Sequence, residues 1–191
     1  VTGVKFPARR KDSHKYNYGS DMVVGGSVGY TGAPIYAAEA ASRAGAGLSF
    51  AAVPECVYQI EACRASSAMV FPAASKDGRI SPDAFHDILA KSEKTTAMLI
   101  GPGMGRGEES DNLVLELIRT FSGQIILDAD GINAISGHID ILGLSARPMI
   151  LTPHMGEFAR IGGDLSLPPL DAALSYTRSH RCILVLKGHE T

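Results

Sequence analysis

The chain has no tryptophan, three cysteines and almost no net charge, with 18 Lys and Arg against 20 Asp and Glu in 191 residues. Each shortage removes a class of function. Near-neutrality leaves no electrostatic footprint for nucleic acid or for an anionic membrane surface. The one basic knot, Arg9, Arg10, Lys11 and Lys15, reads as a solvated face. No apolar run approaches the roughly 20 residues that cross a bilayer. No charged segment followed by an apolar one opens the chain, so export is not indicated and a cytoplasmic location is expected. The first residue is Val1 rather than Met, which reads as a fragment boundary. Cys56, Cys63 and Cys182 are odd in number and lack CxxC spacing, so neither a disulfide framework nor a metal knuckle is indicated. Cys56 and Cys63 lie two helical turns apart on an amphipathic stretch, and the thiols are expected to be buried and reduced.

What the chain does have is a rhythm of short apolar runs, each ending in Gly, Asp, His or Lys. Strands are predicted near 22–25, 48–53, 67–71, 97–100, 124–128, 148–152 and 182–186. Helical segments lie between most of them. One begins at Pro34, is rich in alanine, and stops at Gly45 and Gly47 with Arg43 at the negative end of its dipole. Another is announced by Ser81-Pro82-Asp83, an N-cap with a first-turn Pro. Repeats and long linkers are missing, so residues 1–191 read as a single domain large enough to bury a core. Strands alternating with helices predict an α/β fold with a mostly parallel, doubly covered sheet. In such a sheet all strand C-termini share one edge, and ligands bind in the crevice beyond it.

That topology would gather five clusters on one rim. Gly25 and Gly26 open GGSVGYTGAP after the first strand, ahead of the small-residue helix. Glycines there let a ligand approach the backbone, and a helix N-terminus offers N–H groups to an anion. A plain turn is the alternative, although it needs fewer glycines than four; the GxGxxG dinucleotide fingerprint is absent. GPGMG at 101–105 closes another strand and is equally well explained as a turn. Asp128 and Asp130 in DADGIN would lie on one side of a strand end, able to hold Mg²⁺ through water or orient a hydroxyl. Alternatively, Asp130 caps the next helix. In TPHMGEF, His154 stands just past a strand with Glu157 in a first helical turn; the alternative makes Thr152 the cap and leaves His154 merely exposed. Lys187 in KGHET follows the last strand and could meet a phosphate as a point charge.

The segments KDSHKYNYG (11–19), GGSVGYTGAPIYAAEAASRAGAGL (25–48), IGPGMGR (100–106), ILDADGINAI (126–135), ILTPHMGEFARI (150–161) and VLKGHET (185–191) together resemble the ADP/ATP-dependent NAD(P)H-hydrate dehydratases. The resemblance runs in order through nearly the whole chain. It implies a ribokinase-like three-layer α/β/α fold and an enzyme that uses ADP or ATP, with Mg²⁺, to dehydrate hydrated NADH or NADPH. Under it, Ala33, Gly103, Gly105 and His154 would contact the hydrated dinucleotide. Lys187, Gly188, His189, Glu190 and Thr191 would bind the adenine nucleotide. Gly25, Gly26, Asp128, Asp130, Asn133 and Glu157 would support the site. The TPHxGE form is more similar to the bacterial, ADP-using branch, and the family commonly forms homotetramers.

One departure stands out: the family continues past KGxxT to a GSGD motif that supplies a phosphate-binding glycine and the catalytic Asp, and this sequence stops at Thr191. The chain is therefore expected to carry half a site and to turn over little by itself. In a complete site, phosphate transferred to the hydroxyl beside the ring nitrogen makes a good leaving group, which the nitrogen lone pair expels. A carboxylate serves as base, and N–H groups and Mg²⁺ steady the phosphoryl charge. Two rival readings remain open, a ribokinase-like small-molecule kinase and a non-catalytic nucleotide-binding subunit.

Overall fold

The computed structural model describes residues 8–191. The seven apolar runs form the parallel strands β1 (Ser20–Val24), β2 (Leu48–Pro54), β3 (Met69–Ala73), β6 (Ala97–Ile100), β7 (Gln124–Leu127), β8 (Met149–Leu151) and β9 (Cys182–Leu184). They pair in the order β3-β2-β1-β6-β7-β8-β9. Parallel pairing obliges each connection to cross over a sheet face. The crossovers carry α1 (Ala33–Ala44), α2 (Tyr58–Arg64), α3 (Phe85–Ser92), α4 (Glu108–Thr120), α5 (Asp130–Ala134), α6 (Met155–Arg160) and α7 (Pro169–Ser179).

Alternation along the strands makes two cores. Met22 and Val24 face one way and pack with Met98, Ile100, Ile125, Leu127, Met149 and Leu151 against Ile88 of α3, Leu113 and Leu117 of α4 and Phe158 of α6. Val23, Ala51 and Val53 face the other way, against Ile35 and Ala38 of α1. The result is the expected three-layer α/β/α arrangement. The second face is covered unevenly. Leu99, Ile126, Ile150 and Ile183 stand side by side in register. The first three are only partly buried, and Ile183 is 51% exposed.

Three local expectations need correction. The helix announced at Ser81 opens as a 3-10 turn, Pro82–Ala84, and becomes α-helical at Phe85. The Ser81 hydroxyl faces Asp83 at 3.5 Å and caps no N–H; its carbonyl accepts from Ala84 instead. Cys56 and Cys63 are exposed and Cys182 is half-buried, all as free thiols. The buried face of that stretch holds Val57 and Glu61, one helical turn apart. A hairpin, β4 (Ser75–Lys76) and β5 (Arg79–Ile80), was not anticipated. Its turn is Asp77-Gly78, both with positive φ, as a type I′ turn requires. Among the described residues no helix is long and apolar enough to cross a membrane.

Candidate functional site

The strands that end in the five clusters, β1, β6, β7, β8 and β9, are consecutive neighbours in the sheet. Their C-terminal loops therefore form one continuous rim, stitched together by main-chain hydrogen bonds. Gly101 N–H donates to Val24 O, Asp128 N–H to Ile100 O, Thr152 N–H to Leu127 O and Lys187 N–H to Pro153 O.

At one end, the loops after β1 and β6 lie against each other. Gly26 N–H donates to Pro102 O at 2.9 Å and the Ser27 hydroxyl to Gly103 O at 2.7 Å. This contact explains two of the glycines. A Cβ at Gly25 would collide with the Pro102 carbonyl, and a Cβ at Gly103 (φ 64°) would lie 2.9 Å from Tyr30 Cβ. Ala33, in the first turn of α1, borders Gly103, with 3.5 Å between its Cβ and the Cβ position of that glycine. The rim is therefore floored by peptide groups and small side chains, a surface onto which a flat ligand can settle.

The DAD segment arranges its acids differently from the expected pair. Ala129 is a non-glycine residue at φ 50°, ψ −114°, a strained conformation that turns the chain sharply between the two aspartates. Asp128 faces β8 and β9: its Oδ1 accepts from the Thr152 hydroxyl at 2.7 Å and pairs with Lys187 Nζ at 2.6 Å. Asp130 turns back to the loop after β6, where its Oδ2 accepts from Gly105 N–H at 2.9 Å. Its other oxygen accepts from Asn133, whose own amide oxygen takes a hydrogen bond from Arg160. The two carboxylates thus serve separate partners, and Asp130 sits within the first turn of α5 rather than at its N-cap, which is Ala129.

His154 is the N-cap of α6. Its Nδ1 accepts from Gly156 N–H at 3.0 Å and Glu157 N–H at 3.3 Å, while Glu157 Oε2 accepts from His154 N–H at 2.9 Å. This reciprocal pair is a capping box with histidine in the usual Ser or Thr place. An accepting Nδ1 leaves the proton on Nε2, which lies 3.3 Å from Glu157 Oε1. Thr152 is not the cap. The His154 side chain remains half exposed on the rim, and its backbone pairs with Lys187. Lys187, His154 and Asp128 therefore occupy one corner. Gly188, His189, Glu190 and Thr191 follow as exposed residues without side-chain hydrogen bonds among those described.

Several residues that shape the rim escaped the sequence reading. Ser27 supplies the hydroxyl contact to Gly103 O described above, and Thr152, read only as a possible cap, instead donates to Asp128. Arg79 of β5 packs on Gly105 and donates to Arg106 O. Glu61 of α2 is fully buried beside Gly26 and Pro34, with neither carboxyl oxygen hydrogen-bonded. Burial pushes its carboxyl up to about 8, against an opposing pull from Arg64. The signal that could have found it was a lone acid at an apolar helical position. Beyond Asp130 and Asn133, a cleft of about 410 Å³ is lined by Arg106, Asp111 and His138 among others. Burial raises the Asp111 carboxyl above its ordinary range, Arg106 opposes this, and Asp130 adds to it.

Comparison with known proteins bears on the family and the fold. Residues 22–191 match a carbohydrate-kinase family model described as NAD(P)H-hydrate dehydratase. The chain is 40% identical over 189 residues to a bifunctional NAD(P)H-hydrate repair enzyme of Salinibacter ruber, covering 96% of this chain and 35% of that protein. It is 34% identical to an ATP-dependent (S)-NAD(P)H-hydrate dehydratase of Drosophila pseudoobscura pseudoobscura, covering 83% of this chain and 52% of that one. The chain thus spans about a third of the length of the bifunctional relatives it matches. Among solved structures, a ribokinase-like superfamily protein from Enterococcus faecalis superposes with a TM-score of 0.81 at 23% identity, over 96% of this chain and 62% of that one, which shows the fold. An ADP/ATP-dependent NAD(P)H-hydrate dehydratase from Bacillus subtilis, co-crystallized with ATP/Mg²⁺, superposes with a TM-score of 0.72 at 26% identity, over 95% and 62% of the two chains. With residues 22–191 matched by the family model, the chain belongs to the NAD(P)H-hydrate dehydratase family.

Proposed function

We propose that this chain supplies the dinucleotide-facing rim, and the first part of the nucleotide-binding loop, of an ADP- or ATP-dependent dehydratase that restores NADH or NADPH from its hydrated form. One observation carries the reading. The Ala33–Gly103 floor and the Lys187–His154 corner lie along a single sheet edge, so a flat ring system and a polyphosphate can be held side by side. The Bacillus subtilis relative, named for this activity and crystallised with ATP/Mg²⁺, adds support.

In this reading Ala33, Gly103 and Gly105 hold the hydrated nicotinamide face, and the exposed His154 ring orients it. Lys187 meets the phosphates, and Gly188 to Thr191 wrap the nucleotide. Phosphate passes from the nucleotide to the substrate hydroxyl, and the C–O bond then breaks as the ring nitrogen pushes the phosphate out. Loss of a ring proton completes the double bond. Magnesium would travel with the phosphates. Among the described residues no three His, Cys, Asp or Glu side chains gather to hold an ion themselves, and Asp128 already serves Lys187.

We extend the reading to the domain's boundary and assembly. The half-covered stripe Leu99, Ile126, Ile150 and Ile183 supports a further segment packing there, which would carry the remaining catalytic groups. Val28, Tyr30 and Tyr36, each about two-thirds exposed, support a homo-oligomer, a tetramer by family resemblance. The His154 form of its loop favours ADP over ATP, and we place the enzyme in the cytoplasm. The test is dehydration of NADHX and NADPHX with ADP or ATP and Mg²⁺, on this chain and on a version extended through the next motif. We expect turnover in the extended form and little in the short one; full activity of the short form would refute the half-site reading. A thermal shift with ADP but none with a panel of phosphorylatable alcohols would separate the dehydratase from a kinase.

A further inference from the structure

The corner where β7, β8 and β9 end carries an inference beyond the assignment of Lys187 to phosphate. An ammonium on a four-carbon stem at the protein surface is free to wander, and a lysine meant to meet a phosphate gains from being held in place beforehand. Here it is held. Lys187 Nζ lies 2.6 Å from Asp128 Oδ1, and the Thr152 hydroxyl reaches the same oxygen at 2.7 Å. Asp128 itself has little freedom. Its N–H donates to Ile100 O, its carbonyl accepts from Gly131 N–H, and the strained Ala129 turn follows it directly. The Lys187 backbone is likewise fixed, through Pro153 O and the bridge to His154.

The pair is a poor device for stability. The two side chains are 42% and 28% exposed, and ion pairs so open to solvent contribute little to folding. An ammonium has three donors, however, and Asp128 takes one, leaving two for a ligand. We infer that Asp128 is a positioning residue: braced by Thr152, it aims the Lys187 ammonium along the rim at the nucleotide's phosphates. The carboxylate does not touch the nucleotide; it acts through Lys187. This rests on the reading of Lys187 as the phosphate-binding group.

The experiment is titration of ADP and ATP by calorimetry against the full-length protein and its Asp128→Ala, Asp128→Asn, Lys187→Ala and double variants, with NADPH titrated in parallel. Asp128→Ala is expected to weaken ADP about tenfold through Lys187 alone, leaving NADPH unchanged. Asp128→Asn, which keeps an acceptor for both donors, is expected to stay within about threefold of wild type. In the Lys187→Ala background, removing Asp128 is expected to cost less than about twofold. An unchanged or tighter affinity in Asp128→Ala overturns the inference, since the carboxylate would then be idle or repelling phosphate. An undiminished loss in the Lys187→Ala background overturns it as well, by showing a structural effect. If Lys187→Ala alone leaves ADP binding intact, the nucleotide reading fails first. Should Asp128→Ala unfold, Asp128→Ser, too short to reach Lys187, is read by the same criteria.

Discussion

Gly26 rests directly on the carboxyl group of Glu61, so that a Cβ at this glycine would stand 2.7 Å from Oε1. The acid has no hydrogen-bond partner and no exposure to solvent, and it holds its proton up to about pH 8. Its raised value makes stability depend on pH in a definite direction. In the unfolded chain the group ionises near its ordinary 4.5, whereas in the folded chain it stays neutral until about 8. The folded state is therefore favoured fully below pH 4.5 and loses that advantage as pH rises toward 8, by a few kcal/mol. Urea unfolding at pH 5, 7 and 8.5 is expected to show this decline, and Glu61→Gln is expected to remove most of it. Parallel curves for the two proteins would sink the idea. Glu61→Leu is expected to be more stable than wild type at pH 8, because it removes an unpaired polar group from an apolar site.

Gly103→Ala tests the contact between the loops after β1 and β6. The substitution forces φ 64° on a residue with a side chain and presses its methyl on Tyr30. We expect a loss of about 1–3 kcal/mol in urea unfolding, along with weaker NADPH binding. Stability equal to wild type would mean that the loops part easily.

Ala129→Gly runs the opposite way. The Ala129 conformation costs an L-residue about 1–3 kcal/mol, more than the roughly 0.4–1 kcal/mol that glycine loses through unfolded-state entropy. A higher thermal midpoint is the expected result. A lower one would show that the turn is not strained in solution.

The capping role of His154 and the substrate-orienting role proposed for it separate by substitution. His154→Ala is expected to cost about 1 kcal/mol through loss of the cap and to raise KM for the hydrated cofactor more than it lowers kcat. His154→Asn keeps a cap acceptor and should restore stability while leaving KM high. If Asn also restores KM, the imidazole has no part in binding; a collapse of kcat at constant KM would assign it to the chemistry instead.

The sheet could be read from the sequence because strands buried on both faces must be apolar throughout, and all seven runs lie where expected. The five clusters followed from that topology, since parallel strands have no choice about which edge their ends share. Side-chain partnerships were less legible. Asp128 and Asp130 look like a pair in the sequence, yet the twist at Ala129 sends one to Lys187 and the other to Gly105. Those partners lie 59 and 25 residues away and are set by packing rather than by local spacing. The Cys56–Cys63 stretch failed for a related reason. Both of its faces carry mixed residues, and the phase of the helix was decided by Val57 and by a buried acid that composition would place outside. The Asp77-Gly78 hairpin was a missed signal, written plainly in its two residues.

A rim built of main-chain groups and glycines has few side chains to lose. From Asp128 to Ile100 and from Lys187 to Pro153, its loops are joined by peptide hydrogen bonds that any residue except proline at the donor can make, whereas Gly26, the donor to Pro102, has no room for a Cβ. Selection can therefore reshape the surface of the rim at Ala33, His154 or Tyr30 while the frame beneath it stays joined. The same economy predicts where inactivating changes fall: on the glycines that allow the loops to touch, far more than on the polar residues that decorate them.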